Sequence, residues 1–132
     1  MKPQVYLAAP FNARQKMLSF RKELAREGIG CTSSWLDSHL TDGPELSDWN
    51  RWTEALTDLS DIDRAQLVVL DLTSGGSTGG GMHFETGYAY ARGIPIVVIG
   101  PPTSIFHYLQ REVEQVSGFS DALDVIRRRL RR

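Results

Sequence analysis

Two stretches, QLVVLDL (66–72) and IPIVVIG (94–100), are apolar at nearly every position. A strand with one face in water alternates apolar and polar residues, whereas an unbroken apolar run of this length needs cover on both faces. That cover comes from helices, and the rest of the chain supplies them in alternation. QVYLAAP (4–10), ended by Pro10, and IGCTSSW (29–35) read as companion strands. After the first strand, Phe11, Met17, Leu18, Phe20, Leu24 and Ala25 recur at three- and four-residue steps, with Asn12 placed to cap the helix and Gly28 to end it. A second helix is expected from Asp48 to about Arg64, with Trp49, Trp52, Ala55, Leu56, Leu59 and Ile62 on one stripe. Residues 36–47 read as a loop, 73–81 as a glycine-rich loop, 82–92 as a helix closed by Gly93, and 103–111 as a short helix. A terminal amphipathic helix, 119–132, has Ser120 or Asp121 as its expected cap. The pattern implies an α/β fold: a single flavodoxin-like or Rossmann-like domain over 1–132, with a parallel sheet of four or five strands and helices on both faces.

Composition narrows the partners. The chain has 132 residues and a net charge of −1, which argues against general attraction to nucleic acid or a membrane surface. Arg127 to Arg129, Arg131 and Arg132 are expected as the solvated face of the last helix. The one cysteine, Cys31, rules out an intrachain disulfide and is expected to be a buried, inert thiol. No apolar run reaches the ~18 residues of a membrane span, and no signal-peptide core follows Met1, so a cytoplasmic protein is expected.

In sheets of this kind ligands sit beyond the carboxyl ends of the strands. Three segments converge there: Ala8 to Asn12 (with Ala9, Pro10 and Phe11), Asp71 to Gly81, and Gly100 to Ser104. The glycines at 79–81 lack both the G-x-G-x-x-G spacing of a dinucleotide site and the lysine of a phosphate loop. Ser74, Ser77 and Thr78 can still hold a phosphate or hydroxyls. The charged residue at this helix start is Glu85, where backbone N–H groups favour an anion. It is either a stabilising helix-start acid or a carboxylate aimed into the crevice, where an ionised carboxylate is a competent nucleophile towards carbon. Glu54, Asp58, Asp61 and Asp63 on the preceding helix offer a second acid, though spacing alone does not choose among them. Asp61 and Asp63 look like half a metal loop without its remaining ligands, so no metal is expected. His83 is expected at the surface, and Trp35, Trp49 and Trp52 in the core.

VYLAAPF, LTDLSDIDRAQLVVLDLT and GGMHFETGYAYARGIPIVVIG together resemble the nucleoside 2-deoxyribosyltransferase family, and SIFHYL (104–109) resembles a segment of its small members. The likeness covers about residues 4–110. Its most specific part is Gly-Gly-x-x-x-Glu-x-Gly-x-Ala, here Gly80, Gly81, Glu85, Gly87 and Ala89. The resemblance implies that Glu85 is the nucleophile, that Asp58 handles the proton of the departing base, and that Tyr6 orients the glutamate. It implies a sugar contact six residues before the glutamate. That position is aspartate in members taking free nucleosides and small in relatives taking 5′-monophosphates; here it is Gly79. Gln66 departs from the aspartate that often opens the third strand.

The reaction so implied breaks the N-glycosidic bond of a nucleoside or its 5′-monophosphate through a glycosyl–Glu85 ester, then transfers the sugar to a second base or to water. Repulsion between two carboxyls would make Asp58 the acid while the helix end keeps Glu85 ionised. No metal or redox cofactor is needed. The family's habit also implies a homodimer or larger homo-oligomer with a shared site, and Ser104 and His107 lie in the segment expected to cross between subunits. The alternatives are a strict 5′-monophosphate hydrolase and a nucleotide-binding module without catalysis.

Overall fold

The structure, a computed structural model, describes residues 2–38, 47–75 and 80–130. Five strands form one sheet: β1 (Gln4–Ala8), β2 (Gly30–Cys31), β3 (Leu67–Asp71), β4 (Ile96–Ile99) and β5 (Val113–Val116). Their spatial order is β2-β1-β3-β4-β5, and every pairing is parallel. The helices are α1 (Arg14–Arg26), α2 (Asp48–Asp63), α3 (Gly81–Ala91) and α4 (Phe119–Leu130).

The pleat sends alternate residues of each strand to opposite layers. Val5, Leu7, Leu67, Val69, Val97 and Ile99 pack with Met17, Phe20 and Leu24 of α1 and with Ala122, Val125 and Ile126 of α4. Tyr6, Ala8, Val68, Leu70, Ile96 and Val98 pack with Ile62, Ala65 and Ala89 on the α2–α3 side. The double-sided cover implied by the two apolar runs is therefore real, and β3 is buried along its whole length. β1 is followed by β2 on one side, while β3 lies on its other side, so the strand order reverses at β1. In parallel sheets a crevice opens at that point, at the carboxyl ends of β1 and β3.

Several elements differ from the sequence expectation. Val113–Val116, not assigned as a strand, forms the β5 edge; it is short, and its Glu114 and Gln115 give no apolar run. The second strand spans two residues, and Ser34–Asp37 turns as a 3₁₀ helix, with Trp35 Nε1 donating to the Leu7 carbonyl at 2.8 Å. The 103–111 helix reduces to a 3₁₀ turn, Ile105–Tyr108. Asn12 lies within the 3₁₀ turn Phe11–Ala13 and does not cap α1. Neither Ser120 nor Asp121 caps α4, because the helix already begins at Phe119; Asp121 instead accepts the Ser117 hydroxyl at 3.0 Å.

The largest departure is on α2. Ile62 is buried, but Trp49 is 65% exposed, Trp52 54% and Leu56 48%, so the amino-terminal half of the stripe lies off the sheet. Trp49 and Trp52 pack edge-to-face on each other at 5.1 Å, not into the core as expected. Trp35 does pack against the core. Cys31 is half-buried, and burial pushes its thiol up, against reactivity.

Candidate active site

Tyr6 is the buried residue of β1 that carries a polar side-chain atom, beside Val5, Leu7 and Ala8, and its side chain faces the α2–α3 layer. A buried phenol needs a partner for its hydroxyl. It finds one in Glu85: the Tyr6 hydroxyl donates to Oε2 at 2.6 Å. Glu85 is the fifth residue of α3, one turn beyond the helix start. The expected first-turn placement is thus corrected; the tyrosine, not the helix end, supplies its hydrogen bond.

Asp58 projects from α2 towards the same point, close enough to Glu85 for the two carboxyls to share a proton. Its Oδ1 is buried and has no partner within the chain. A buried acceptor without a partner in the chain is costly unless something from outside the chain, water or a ligand, meets it. Burial is the leading cause that pushes Asp58 up to about 8, with the charges of Glu85, Glu54 and Asp61 adding to it. Burial also raises Glu85, opposed by its hydrogen bonds with Tyr6 and Asp58. Tyr6 is raised too, by burial and then by Glu85, so it stays a donor. Of the two, Asp58 is therefore the carboxyl that keeps its proton to the higher pH. Glu85, however, lies above the usual carboxylate range, and hydrogen bonding is what favours its charge.

The glycine turn has its own logic. Gly80 has φ +76°, a conformation that side chains with a Cβ rarely adopt. At Gly81 a Cβ would meet nothing within 4 Å, so no neighbour in the chain demands glycine there. Ser77, Thr78 and Gly79 lie outside the described residues. From the β1 end, Ala9 is half-buried, Pro10 buried, and Phe11 and Asn12 exposed, with the Phe11 ring 6.4 Å from Trp35.

Ser104 and His107 fall elsewhere. The Ser104 hydroxyl accepts from Phe106 N at 3.2 Å, capping the 3₁₀ turn. His107 is buried, its Nδ1 accepts from Thr103 N at 3.1 Å, and its ring stacks on the exposed His83 at 5.8 Å. Burial lowers its imidazole below the ordinary value. Both residues line a cavity of about 670 Å³ along the flank of α3 that carries His83, Thr86, Gly87 and Tyr90. None of Tyr6, Asp58 or Glu85 lines it.

Two further acids are buried. Asp71, fully buried at the end of β3, accepts from Thr73 N at 2.8 Å, Thr73 Oγ1 at 2.6 Å and Ser74 Oγ at 2.8 Å, and Lys16 Nζ lies 4.0 Å away. The Asp-x-Thr-Ser spacing is the signal that a side chain is tying down its own loop. Asp61, one of the four candidates for the second acid and half of the supposed metal loop, is the other. Among the described residues no group of three or more His, Cys, Asp or Glu is arranged to hold a metal ion. No helix among them is long and apolar enough to cross a membrane. The arginines of α4 are paired, Arg127 with Glu27 and Asp124, Arg128 and Arg129 with Glu114.

Comparison with known proteins decides the lineage. Residues 5–116 match the family described as nucleoside 2-deoxyribosyltransferase. The chain belongs to the nucleoside 2-deoxyribosyltransferase family. Structures similar to this family member include a conserved protein from Enterococcus faecalis V583, at TM-score 0.75 and 20% identity, covering 98% of this chain and 100% of that one. A 2-deoxyribosyltransferase from Bacillus psychrosaccharolyticus aligns at TM-score 0.68 and 19% identity, over 90% of this chain and 89% of that one. A CMP N-glycosidase from Clostridium botulinum aligns at 0.57 and 15%, over 93% and 97%. At such identities these likenesses establish the shared fold. No curated protein sequence gives a significant match.

Proposed function

We propose that this nucleoside 2-deoxyribosyltransferase family member cleaves the N-glycosidic bond of 2′-deoxynucleosides or their 5′-monophosphates by way of a covalent sugar ester on Glu85. The observation that carries this reading is the facing pair of Asp58 and Glu85, with the Tyr6 hydroxyl on Glu85 and Asp58 Oδ1 unpartnered. Two neighbouring carboxyls, one raised to about 8 and the other hydrogen-bonded to Tyr6, suit the roles of acid and nucleophile in a retaining glycosidic reaction.

The steps balance. A carboxylate oxygen of Glu85 bonds to C1′ as the C1′–N bond breaks, and the proton on Asp58 moves to a ring nitrogen so that the base leaves neutral. Positive charge grows at C1′ and the ring oxygen, and the anion beside it lowers the barrier. In the second half a new base or water loses a proton to Asp58 and attacks C1′, releasing Glu85. Tyr6 holds Glu85 to one orientation; its hydrogen bond weakens the carboxylate as a nucleophile and makes it a better leaving group.

Gly79 favours the 5′-monophosphate among the substrates, because a glycine leaves room and no charge where an aspartate would repel a phosphate. Asp71 supports this by tying Thr73 and Ser74 at the start of that loop. Self-association is part of the reading. Phe84, Ile105, Phe106 and Tyr108 are all about two-thirds exposed or more, and a second copy is their expected cover. The test is to incubate a deoxynucleoside and its 5′-monophosphate separately, each with and without a free acceptor base. Base exchange marks transfer, free sugar or sugar phosphate marks hydrolysis, and absence of any base release overturns the proposal.

A further inference from the structure

Asp58, Glu85 and Tyr6 come from two helices and a strand, and Asp61 makes one of the polar ties among these elements. It lies one turn beyond Asp58 on the same face of α2 and is 1% exposed. Its Oδ2 accepts from Ser34 N at 2.9 Å, while Oδ1 pairs with Arg64. Ser34 begins the turn whose neighbours grip β1 beside Tyr6. The Ser33 hydroxyl accepts from Leu7 N at 2.7 Å and donates to the Leu7 carbonyl, which also accepts from Trp35 Nε1. A continuous path thus runs from the Tyr6 strand through residues 33–35 to Asp61 and up one turn to Asp58. Asp63, two residues on, ties α2 to α3 by accepting from the Tyr88 hydroxyl at 2.9 Å and Arg92 Nε at 3.0 Å. Asp61 secures α2 to the strand, and Asp63 secures it to the helix of the nucleophile.

We infer that Asp61 is a positioning residue: seated on the Ser34 N–H, its buried carboxylate fixes α2 against the strand that carries Tyr6 and so sets Asp58 opposite Glu85. A neutral amide could also accept from Ser34, but the carboxylate adds a charge that acts on the same site. The groups that face it are Asp58 from α2, Arg64 from the α2 C-cap, Glu85 from α3 and Tyr6 from β1; Asp37 of the adjoining turn is engaged with Arg21 at 2.9 Å. Its negative charge raises both Asp58 and Glu85, and Arg64 offsets it only in part, being more than half exposed. Asp61 therefore does two things at once, holding the acid in place and helping it keep its proton.

The inference rests on Asp58 and Glu85 being the reacting pair, and two variants separate it from that reading. Asp61→Asn keeps an acceptor for Ser34 and removes the charge. Ser34→Pro keeps the charge and removes the N–H, at a first-turn position that tolerates proline. Carboxyl-carbon NMR of the whole protein follows the Asp58 proton without any turnover. In D61N, Asp58 is expected to titrate at lower pH than in wild type, and the alkaline limb of kcat is expected to move with it. In S34P the Asp58 titration is expected not to fall, while kcat drops about tenfold with KM within about twofold, the cost of a small misplacement of a reacting group. If Asp58 titrates unchanged in D61N, or S34P keeps wild-type kcat, Asp61 is a structural tie only. Wild type that releases no base fails the functional reading instead, and the NMR titration of D61N still decides the electrostatic half.

Discussion

The Tyr6 hydroxyl and Glu85 Oε2 stand 2.6 Å apart although 79 residues separate them in the chain. The contact joins β1 to the second turn of α3, and it gives a half-buried carboxyl a phenol donor that keeps its own proton near neutral pH. Removing the hydroxyl with Tyr6→Phe keeps the ring in its packing. Loss of a hydrogen bond to a charged group should lower kcat by about 10- to 100-fold. Thermal stability should change much less. Steady-state kinetics beside a thermal melt checks this, and unchanged kcat in a folded Y6F would remove Tyr6 from the machinery.

The pair should shape the pH dependence of activity. The nucleophile must be ionised and the acid protonated, so kcat/KM should be bell-shaped. The acid limb should sit above the usual carboxylate range because burial raises Glu85, and the alkaline limb near 8 because Asp58 is pushed up to about 8. A profile flat from pH 5 to 9 contradicts the assignment.

The same shift has a sign for stability. Asp58 binds its proton more tightly folded than unfolded, so the folded state holds the extra proton between pH about 4 and about 8. Stability from this group is fully present below the unfolded value and is lost as pH rises through the folded one. Asp58→Asn should flatten that fall and melt higher than wild type above pH 8. Melting curves of both proteins across pH 4 to 9 test it, and parallel curves would refute it.

The two tryptophans of α2 give a different contrast. Trp52→Ala removes a side chain that is 54% exposed and should change the stability of the isolated chain by no more than about 1 kcal/mol. Leu70→Ala, in fully buried β3, should cost about 3 kcal/mol. Urea unfolding at low protein concentration compares them directly.

These cases mark what the sequence carries and what it does not. Double-sided burial of 66–72 and 94–100 was legible because an unbroken apolar run has few other homes. β5 was not, because its Glu114 and Gln115 interrupt the signal and an edge strand needs cover on fewer sides. The α2 stripe misled at Trp49 and Trp52 because periodicity tells which residues share a helix face, not how far the sheet beneath extends. Glu85 was singled out by its place after the glycine turn and Asp58 by likeness to a family; spacing on a helix could not have chosen Asp58 over Asp61, since both lie on the face turned inward. Their burial and partners differ, and those depend on residues 33–35 and on Tyr6, far away in sequence. Asp71 shows the converse: its local Asp-x-Thr-Ser pattern was readable, yet its meaning depends on Lys16 arriving from another helix.

The central claim is the covalent ester on Glu85, and the mass of the protein during turnover tests it most directly. Wild type mixed with substrate and quenched in acid should carry one added sugar, or sugar phosphate, located by peptide mapping to the segment that contains Glu85. Glu85→Gln should carry none and release no base. A Glu85→Gln protein that turns over at the wild-type rate, or an adduct mapped to any other residue, would contradict it.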